Sequence, residues 1–299
     1  DPRHDGRAPA PAHRQRTPSR LRRQALESLT LEGILSENVI VERVGTIAVV
    51  TLKRPDRSNT LSGDLFNDLR KAALKLSDAP PSAVILTGSD DLFSAGLDLH
   101  PDNPIVARME ALARAKDTYA LSELIKRLRT SLDLLGRVTC PTIAAIEGKC
   151  HGAGFQLALT CDLRVASSEA TFALPETGFG ALPFMGGMVR LSRLIGHSRT
   201  ADLILTGREV DAATMERWGV VNRIVPPGQS VIGAHSLIAK IGKNSPQASK
   251  NAVLALRQLA GDTTDDFDVE SESGARTLAT GHLTEGILAL LQERPPKWP

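Results

Sequence analysis

The chain has 299 residues, of which 41% are hydrophobic and 23% charged, and its formal net charge is +2. This length and composition can fill a sizeable core, which indicates a globular protein. No window approaches the roughly 18 continuous apolar residues of a membrane-spanning helix, so we expect no membrane span. Cys140, Cys150 and Cys161 lie in apolar surroundings without close metal-ligand spacing, which predicts buried free thiols and no metal site.

The first 30 residues are the least regular part of the chain. Seven arginines precede Glu27, against two aspartates. Without them the remaining chain is mildly acidic, so we expect no nucleic-acid partner. The segment is rich in Pro and Arg and lacks apolar periodicity, which predicts a disordered arm over 1–30; the alternatives are a processed targeting segment or an expression artefact. Since it lacks a secretory apolar core, we expect a cytoplasmic protein, or an organellar-matrix protein if the arm is a transit peptide.

From Val39 the elements follow in a regular order. "VIVERVGTIAVVTLKR" predicts a hairpin around Gly45. A helix follows with Ser62 as its N-cap, since apolar residues then recur at helical spacing. These residues are Leu65, Phe66, Leu69, Ala72 and Leu76. "SAVILTGS" and "TIAAIEG" predict short buried strands, separated by one long helical stretch from about Ile105 to Leu135.

The second half continues this order and then changes. "DLRVASSEATFALPE" predicts two short strands, followed by a helix near residues 189–194. The recurring order predicts an α/β architecture of stacked ββα units over residues 38–228. After Gly228 the spacing is helical without a convincing strand, so residues 229–299 are predicted to form a helical region.

Two loops of small residues end apolar runs. "FSAGLDLHP" covers 93–101 and "GKCHGAGFQLALTCD" covers 148–162. Each can direct backbone N–H groups toward a helix start, and two such donors aimed at one oxygen would stabilise an enolate. Taken singly, either loop is as well explained as an ordinary turn.

Several common chemistries lack their motifs in this chain. "HGAG" at 151–154 is similar to the oxyanion loop of esterases, but no G-x-S-x-G nucleophile motif occurs, so a triad hydrolase is disfavoured. No G-x-G-x-x-G follows a strand as a dinucleotide site requires, and no P-loop is found. His100 and His151 lie near the loops without a spacing that indicates a metal site or a triad.

Five segments in order resemble the crotonase family, also called the enoyl-CoA hydratase/isomerase family. They are "LKRPDRSNTLS" from Leu52, "FSAGLDL" from Phe93, "GKCHGAGFQLALTCDLRVAS" from Gly148, "FALPETGFGALPFMGG" from Phe172 and "LTEGILALLQERPPKW" from Leu283. The resemblance covers the chain from about Asn38 onward. It implies a spiral of ββα units with a helical C-terminal trimerisation region, a homo-trimer or hexamer, and an acyl-CoA thioester as substrate without a separate cofactor.

The resemblance also assigns the substrate-binding positions. It implies that the backbone N–H groups of Leu97 and Ala153, next to Gly96 and Gly152, bind the thioester oxygen. It places Arg57 and Ser58 along the path of coenzyme A and Ala95 near the adenine; an ordinary solvated charge is the alternative for Arg57. We interpret Asp98 as a residue that holds the first loop.

The acid–base positions depart from a standard hydratase of the family, which uses two glutamates. Here Gln156 stands at the first position and Glu176 at the second. An amide cannot exchange a proton at neutral pH, so acid–base work would fall to Glu176, whose pKa we expect to be raised beside an apolar acyl channel. A surface or capping carboxylate is the alternative for Glu176. Phe184 replaces a glycine that helps to seat water in hydratases, although it is equally explained by core packing.

These departures predict an enoyl-CoA double-bond isomerase with Glu176 as its single base. The alternatives are an enoyl-CoA hydratase of fatty-acid β-oxidation and a non-catalytic acyl-CoA-binding protein. The presence of Glu176 favours catalysis, since a neutral residue there would favour binding alone.

Overall fold

The computed structural model describes residues 34–260 and 264–298. The predicted disordered arm over 1–30 lies outside the described residues. Residues 32–299 are grouped in one compact unit. The change to helical structure after Gly228 therefore does not coincide with a boundary between compact units.

The larger sheet has seven strands in the order β1-β2-β3-β4-β5-β7-β10. The strands are β1 (Ile34–Leu35), β2 (Val39–Val44), β3 (Ile47–Leu52), β4 (Ala83–Gly88), β5 (Thr142–Ile146), β7 (Leu163–Ser167) and β10 (Arg223–Val225). The first three pair antiparallel, which confirms the hairpin around Gly45. From β3 onward the pairing is parallel, as an α/β architecture requires.

A second sheet of three strands lies in the order β6-β8-β9. It contains β6 (Lys149–His151), β8 (Thr171–Ala173) and β9 (Val210–Asp211). The two strands predicted in "DLRVASSEATFALPE" are both present, but β7 joins the large sheet and β8 the small one. The chain thus alternates between two sheets, and the end of β6 lies beside the end of β8, where His151 pairs with Ala173.

The helices cover the sheets and form the C-terminal part. They are α1 (Gly63–Asp78), α2 (Pro104–Arg114), α3 (Thr118–Gly136), α4 (Ala153–Ala158), α5 (Gly187–Ile195), α6 (His197–Thr206), α7 (Ala212–Arg217), α8 (Ser230–Ile241), α9 (Pro246–Leu259), α10 (Thr264–Leu278) and α11 (His282–Leu291). The Ser62 side chain accepts a hydrogen bond from the N–H of Leu65, and the predicted apolar face of α1 is buried. Both the cap and the amphipathic pattern of this helix are confirmed.

The long helix predicted from about Ile105 to Leu135 is wrong in one respect, because it is two helices. The backbone at Lys116 has a φ of 54°, a left-handed conformation that no helix interior contains. The side chain of Asp117 then accepts a hydrogen bond from the N–H of Ala120 and begins α3. A capping aspartate inside an apolar repeat therefore divided the stretch.

The C-terminal helices pack in part on the rest of their own chain. In the described residues after Val225 there is no strand, as predicted. Ala234 and Ile238 of α8 join the apolar cluster on one face of the parallel sheet. By contrast, α9 buries no side chain and leaves Leu256 and Leu259 exposed. The assignment of residues 229–299 to oligomerisation stays a prediction.

No helix among the described residues is both long and apolar enough to cross a membrane. The three cysteines are free and buried, as predicted. Burial raises the pKa of the Cys140 thiol to about 11 and that of Cys161 to about 12, so neither is a reactive thiolate at neutral pH.

Candidate active site

The two small-residue loops lie side by side. Ser94 and Cys150 form a parallel bridge, and the N–H of His151 donates to the carbonyl of Ser94 at 2.9 Å. A side chain placed on Gly152 would have its Cβ 3.6 Å from the Cα of Gly96. The loops therefore meet at these two glycines.

The two N–H groups assigned to the thioester oxygen lie beside this contact. Ala153 is the first residue of α4, so its N–H has no acceptor within the helix. No hydrogen bond within the described residues uses the N–H of Leu97 or of Ala153. A Cβ on Gly96 would lie 3.5 Å from the Ala153 nitrogen, and Gly152 has a φ of 51° that side chains rarely adopt. Both amides are free to bind one oxygen.

Asp98 holds the first loop, in agreement with our interpretation. One carboxylate oxygen of Asp98 lies 2.9 Å from a guanidinium nitrogen of Arg54, and the other accepts the N–H of His100 at 3.1 Å. The side-chain amide of Asn103 donates to the Asp98 carbonyl at 2.6 Å. The Asp98 side chain is buried and fully used in these contacts.

Glu176 lies beside Gly152 at the start of a 3-10 turn, Glu176–Phe179. Its Oε1 would be 3.4 Å from a Cβ added to Gly152, whereas its Oε2 is buried without a hydrogen-bond partner. Burial raises the pKa of Glu176 to about 7, against the lowering effect of hydrogen bonds that include one from Gln156. The structure thus contains a carboxyl group that can take and return a proton near neutral pH.

The side-chain amide of Gln156 is held in one orientation. Its Nε2 donates to Glu176 Oε1 at 2.8 Å. Its Oε1 accepts the N–H of Met185 at 2.7 Å and that of Gly187 at 3.3 Å. Because the backbone supplies donors on one side and the carboxylate an acceptor on the other, the amide cannot be reversed without losing these hydrogen bonds.

A further carboxylate near the site, the buried Glu270, was missed by the sequence analysis. It lies on α10, where it accepts the N–H groups of Gly186 and Val189, the latter at 3.0 Å. Burial raises the pKa of Glu270 to about 7. Its segment, "TDDFDVESES", reads as a solvated acidic helix. A signal existed, because Glu270 stands three residues after Phe267 and eight before Leu278, on the buried face of the helix.

A narrow cavity of about 70 Å³ lies between the two loops, Gln156 and Glu176. Its lining includes Ala95, Gly96, Leu97, Gly152, Ala153, Gln156, Glu176 and Phe184, together with Leu278 and Leu283 of the C-terminal helices. Phe184 is buried against α10, since a Cβ added to Gly274 of that helix would lie 2.7 Å from the Cβ of Phe184. Eight of the ten predicted site residues are therefore brought together by the fold.

The remaining two predicted residues, Arg57 and Ser58, do not line this cavity. The Arg57 guanidinium is half-exposed and lies 3.1 Å from a carboxylate oxygen of Asp102. The Ser58 carbonyl accepts the N–H of Ala95 at 3.0 Å, which joins their turn to the first loop. Their contact with coenzyme A stays a prediction. Among the described residues, no cluster of His, Cys, Asp and Glu is placed to hold a metal ion.

Comparison with known proteins bears on both fold and family. A sequence model of the enoyl-CoA hydratase/isomerase family matches residues 42–299. A probable enoyl-CoA hydratase of Mycobacterium tuberculosis is 34% identical over 264 residues, which cover 88% of this chain and 98% of that protein. A mitochondrial Δ(3,5)-Δ(2,4)-dienoyl-CoA isomerase of Dictyostelium discoideum is 29% identical over 254 residues, with 84% and 86% covered.

Solved structures agree with the predicted crotonase-like fold. Carnitinyl-CoA hydratase of Mycobacterium avium superposes with a TM-score of 0.72 at 26% identity, over 88% of this chain and 99% of that one. An enoyl-CoA hydratase of Bacillus anthracis gives 0.66 at 29% identity, over 87% and 98%. With the family match over almost all described residues, the chain belongs to the enoyl-CoA hydratase/isomerase family of enzymes.

Proposed function

We propose that the protein moves the double bond of an enoyl-CoA thioester, with Glu176 as the single acid–base group. One observation carries the proposal. Of the described residues that line the cavity, Glu176 alone has an ionisable side chain, and it lies next to the two free amides. One base is sufficient for a double-bond shift, whereas the family's hydratases use two glutamates.

The proposed reaction balances without water. The carboxylate of Glu176 takes a proton from C2 of a 3-enoyl-CoA, and the electrons of that C–H bond move toward the thioester oxygen. The N–H groups of Leu97 and Ala153 stabilise the resulting dienolate. The protonated Glu176 then returns the same proton to C4, which leaves a 2-enoyl-CoA. A pKa of about 7 suits both directions of this transfer.

Gln156 supports this role by its hydrogen bonds. Its Nε2 donates a hydrogen bond to Oε1 of Glu176, so the unpaired Oε2 is the oxygen that acts as the base. The amide itself does not ionise, and both of its heteroatoms are already used. Gln156 therefore orients the base without sharing in proton transfer.

Hydration is the alternative that the relatives favour, because several of them are named enoyl-CoA hydratases. It requires that a water molecule be held and activated beside the double bond. Here Gln156 has no carboxylate to activate it, and the ring of Phe184 lines the narrow cavity. Both features favour isomerisation. A non-catalytic acyl-CoA-binding role is the second alternative and is disfavoured by Glu176.

The rest of the proposal follows the family resemblance. Arg57, Ser58 and Ala95 would border the bound coenzyme A, which enters as part of the substrate. A homo-trimer or hexamer would form through residues 229–299. The exposed leucines of α9 support this assignment, since apolar side chains on an unpacked helix suit a subunit contact. Light scattering on the purified protein should give the mass of three or six chains.

The function is tested with a matched pair of substrates of one chain length, a 3-enoyl-CoA and the corresponding 2-enoyl-CoA. We expect conversion of the first to 2-enoyl-CoA and slow or absent water addition to the second. Glu176→Gln in both assays separates enzymatic from background reaction. Fast hydration with no isomerisation would establish the hydratase alternative, and tight binding with neither reaction would establish the binding protein.

A further inference from the structure

The backbone of the segment Met185–Val189 is hydrogen-bonded to buried side chains on two sides. The N–H groups of Met185 and Gly187 donate to Oε1 of Gln156. The N–H groups of Gly186 and Val189 donate to the two carboxylate oxygens of Glu270. A single short segment therefore links Glu270 to Gln156, and Gln156 in turn is bonded to Glu176.

We infer that Glu270 is a positioning residue for Glu176, which it orients through the segment 185–189 and the amide of Gln156. The inference rests on the proposed role of Glu176 as the base. Glu270 does not line the cavity, so it acts through the residues between and makes no contact with substrate.

The segment has a turn that requires glycine and helix-start N–H groups that need acceptors from other elements. Gly186 has a φ of 91°, and a side chain there would run into the guanidinium of Arg190. The segment also begins α5, whose first N–H groups have no acceptor within the helix. A carboxylate at a helix N-terminus satisfies two of these donors and interacts favourably with the helix dipole. Without it, Met185 and Gly187 would lose their fixed position against Gln156.

Charged groups from several elements face Glu270. Burial raises the pKa of Glu270 to about 7, against the lowering effects of the two backbone N–H groups and of Arg190 of α5 and Arg129 of α3. Both guanidinium groups lie over the ring of Phe267, at 4.7 and 5.0 Å from its centroid. Asp133 of α3 pairs with Arg190 at 2.5 Å.

The charge of Glu270 also affects the pKa of Glu176. Burial is the main cause of the raised pKa of Glu176, and the negative charge of Glu270 adds to it. Removing that charge should make Glu176 easier to ionise, so the pH dependence of the reaction reports on Glu270.

A purely structural role is the competing explanation, since any buried hydrogen-bonded carboxylate stabilises the fold. The two explanations differ in whether the effect of substituting Glu270 depends on Gln156. If Glu270 is a positioning residue, its substitution no longer affects turnover once Gln156 is removed. If its role is structural, the substitution destabilises the protein equally with and without Gln156.

The test is Glu270→Gln, measured as kcat, KM and pH profile for 3-enoyl-CoA isomerisation. We expect kcat to fall by about tenfold or more with KM changed by less than about twofold, since misplacing a catalytic group can cost up to about a hundredfold. The acid limb of kcat/KM should move to lower pH. Glu272→Gln is the matched control: it lies on the same helix, is 59% exposed, and should leave rate and pH profile unchanged.

The same substitution is then made in a Gln156→Ala background, where we expect kcat to change by less than about twofold. Equal losses of kcat in both backgrounds, or an unshifted acid limb, overturn the inference. If Glu270→Gln does not fold, Glu270→Asp replaces it: it should lower kcat and leave the acid limb in place, because it shortens the side chain but keeps the charge. A wild-type protein without isomerase activity defeats the proposed function, whereas wild-type activity that Glu176→Gln abolishes and Glu270→Gln spares defeats this inference alone.

Discussion

The active site that we propose has an oxyanion side and an acid–base side, which are built in different ways. The oxyanion side consists of backbone N–H groups of Leu97 and Ala153, placed by neighbouring strands and by a close contact between two glycines. The acid–base side consists of side chains on separate elements: Gln156 and Glu176 are 20 residues apart, and Glu270 is 84 residues from Gly186. Side-chain identity matters little on the first side and decides the chemistry on the second.

This difference explains how one fold can support several reactions. A backbone donor pair stabilises any thioester enolate, whatever happens to the proton afterwards. The fate of the proton depends on which ionisable groups line the cavity, and among the residues that the structure describes Glu176 alone does so. Substitutions on the two sides should therefore reduce activity for different reasons. On the oxyanion side the thioester enolate is no longer stabilised, and on the acid–base side the proton is no longer transferred.

Glu176→Gln should have the largest effect. It keeps the size of the side chain and an acceptor for Gln156 but removes the proton acceptor, so kcat for 3-enoyl-CoA should fall by about 10²–10⁴-fold. Calorimetry should show acyl-CoA affinity close to wild type, because the oxyanion side is untouched. Glu169→Gln, an exposed carboxylate in the turn before β8, is the control. Full activity in Glu176→Gln would remove this residue from the mechanism.

Gly152→Val should break the oxyanion side. At a φ of 51° the new side chain is strained, and its Cβ would meet Glu176 Oε1 and the Cα of Gly96. We expect kcat to fall by about 10²–10³-fold, the cost of losing one oxyanion donor, together with weaker acyl-CoA binding. Gly178→Ala, at an exposed position with open space around it, should change neither value. Unchanged acyl-CoA affinity in Gly152→Val would contradict the donor assignment.

Gln156→Glu sharpens the comparison, because it alters the acid–base side alone. The new carboxylate can still accept the N–H groups of Met185 and Gly187, but its other oxygen faces Glu176 at about the 2.8 Å now spanned by a hydrogen bond. The pair would share a proton and titrate in two steps. We expect hydration of 2-enoyl-CoA to rise by about tenfold and isomerisation to fall. No gain in hydration would indicate that Phe184 excludes water, which Gln156→Glu with Phe184→Gly tests.

The smallest expected effect concerns stability. The pKa of Glu176 rises from 4.5 to about 7 on folding, so between these pH values the folded protein holds more protons than the unfolded chain and loses stability as pH increases. Glu176→Gln has no such loss, and its free energy of unfolding should exceed that of wild type at pH 8 by about 3 kcal/mol. Urea unfolding at pH 8 and pH 5 checks this. A difference that does not shrink at pH 5 would contradict the raised pKa.

The sequence predicted most elements whose signals are local. Ser62 capped its helix, the hairpin around Gly45 formed, and the strands before both loops lie in the parallel sheet. The error in the long helix after Ile105 arose because its apolar repeat continues past Asp117 while the backbone does not. Local patterns thus predicted element type better than element boundaries.

The sequence alone determined the α/β order, the two glycine-containing loops and the replacement of one family glutamate by Gln156, because each is a property of neighbouring residues. Only the tertiary structure decided how Gln156 is oriented, that Oε2 of Glu176 is buried and unpaired, and that Glu270 lies behind the segment 185–189. The physical reason is that burial and hydrogen-bond partners depend on residues far apart in the chain. In the sequence, a buried carboxylate such as Glu270 looks the same as an exposed one on an acidic helix, because only the residues packed against it differ.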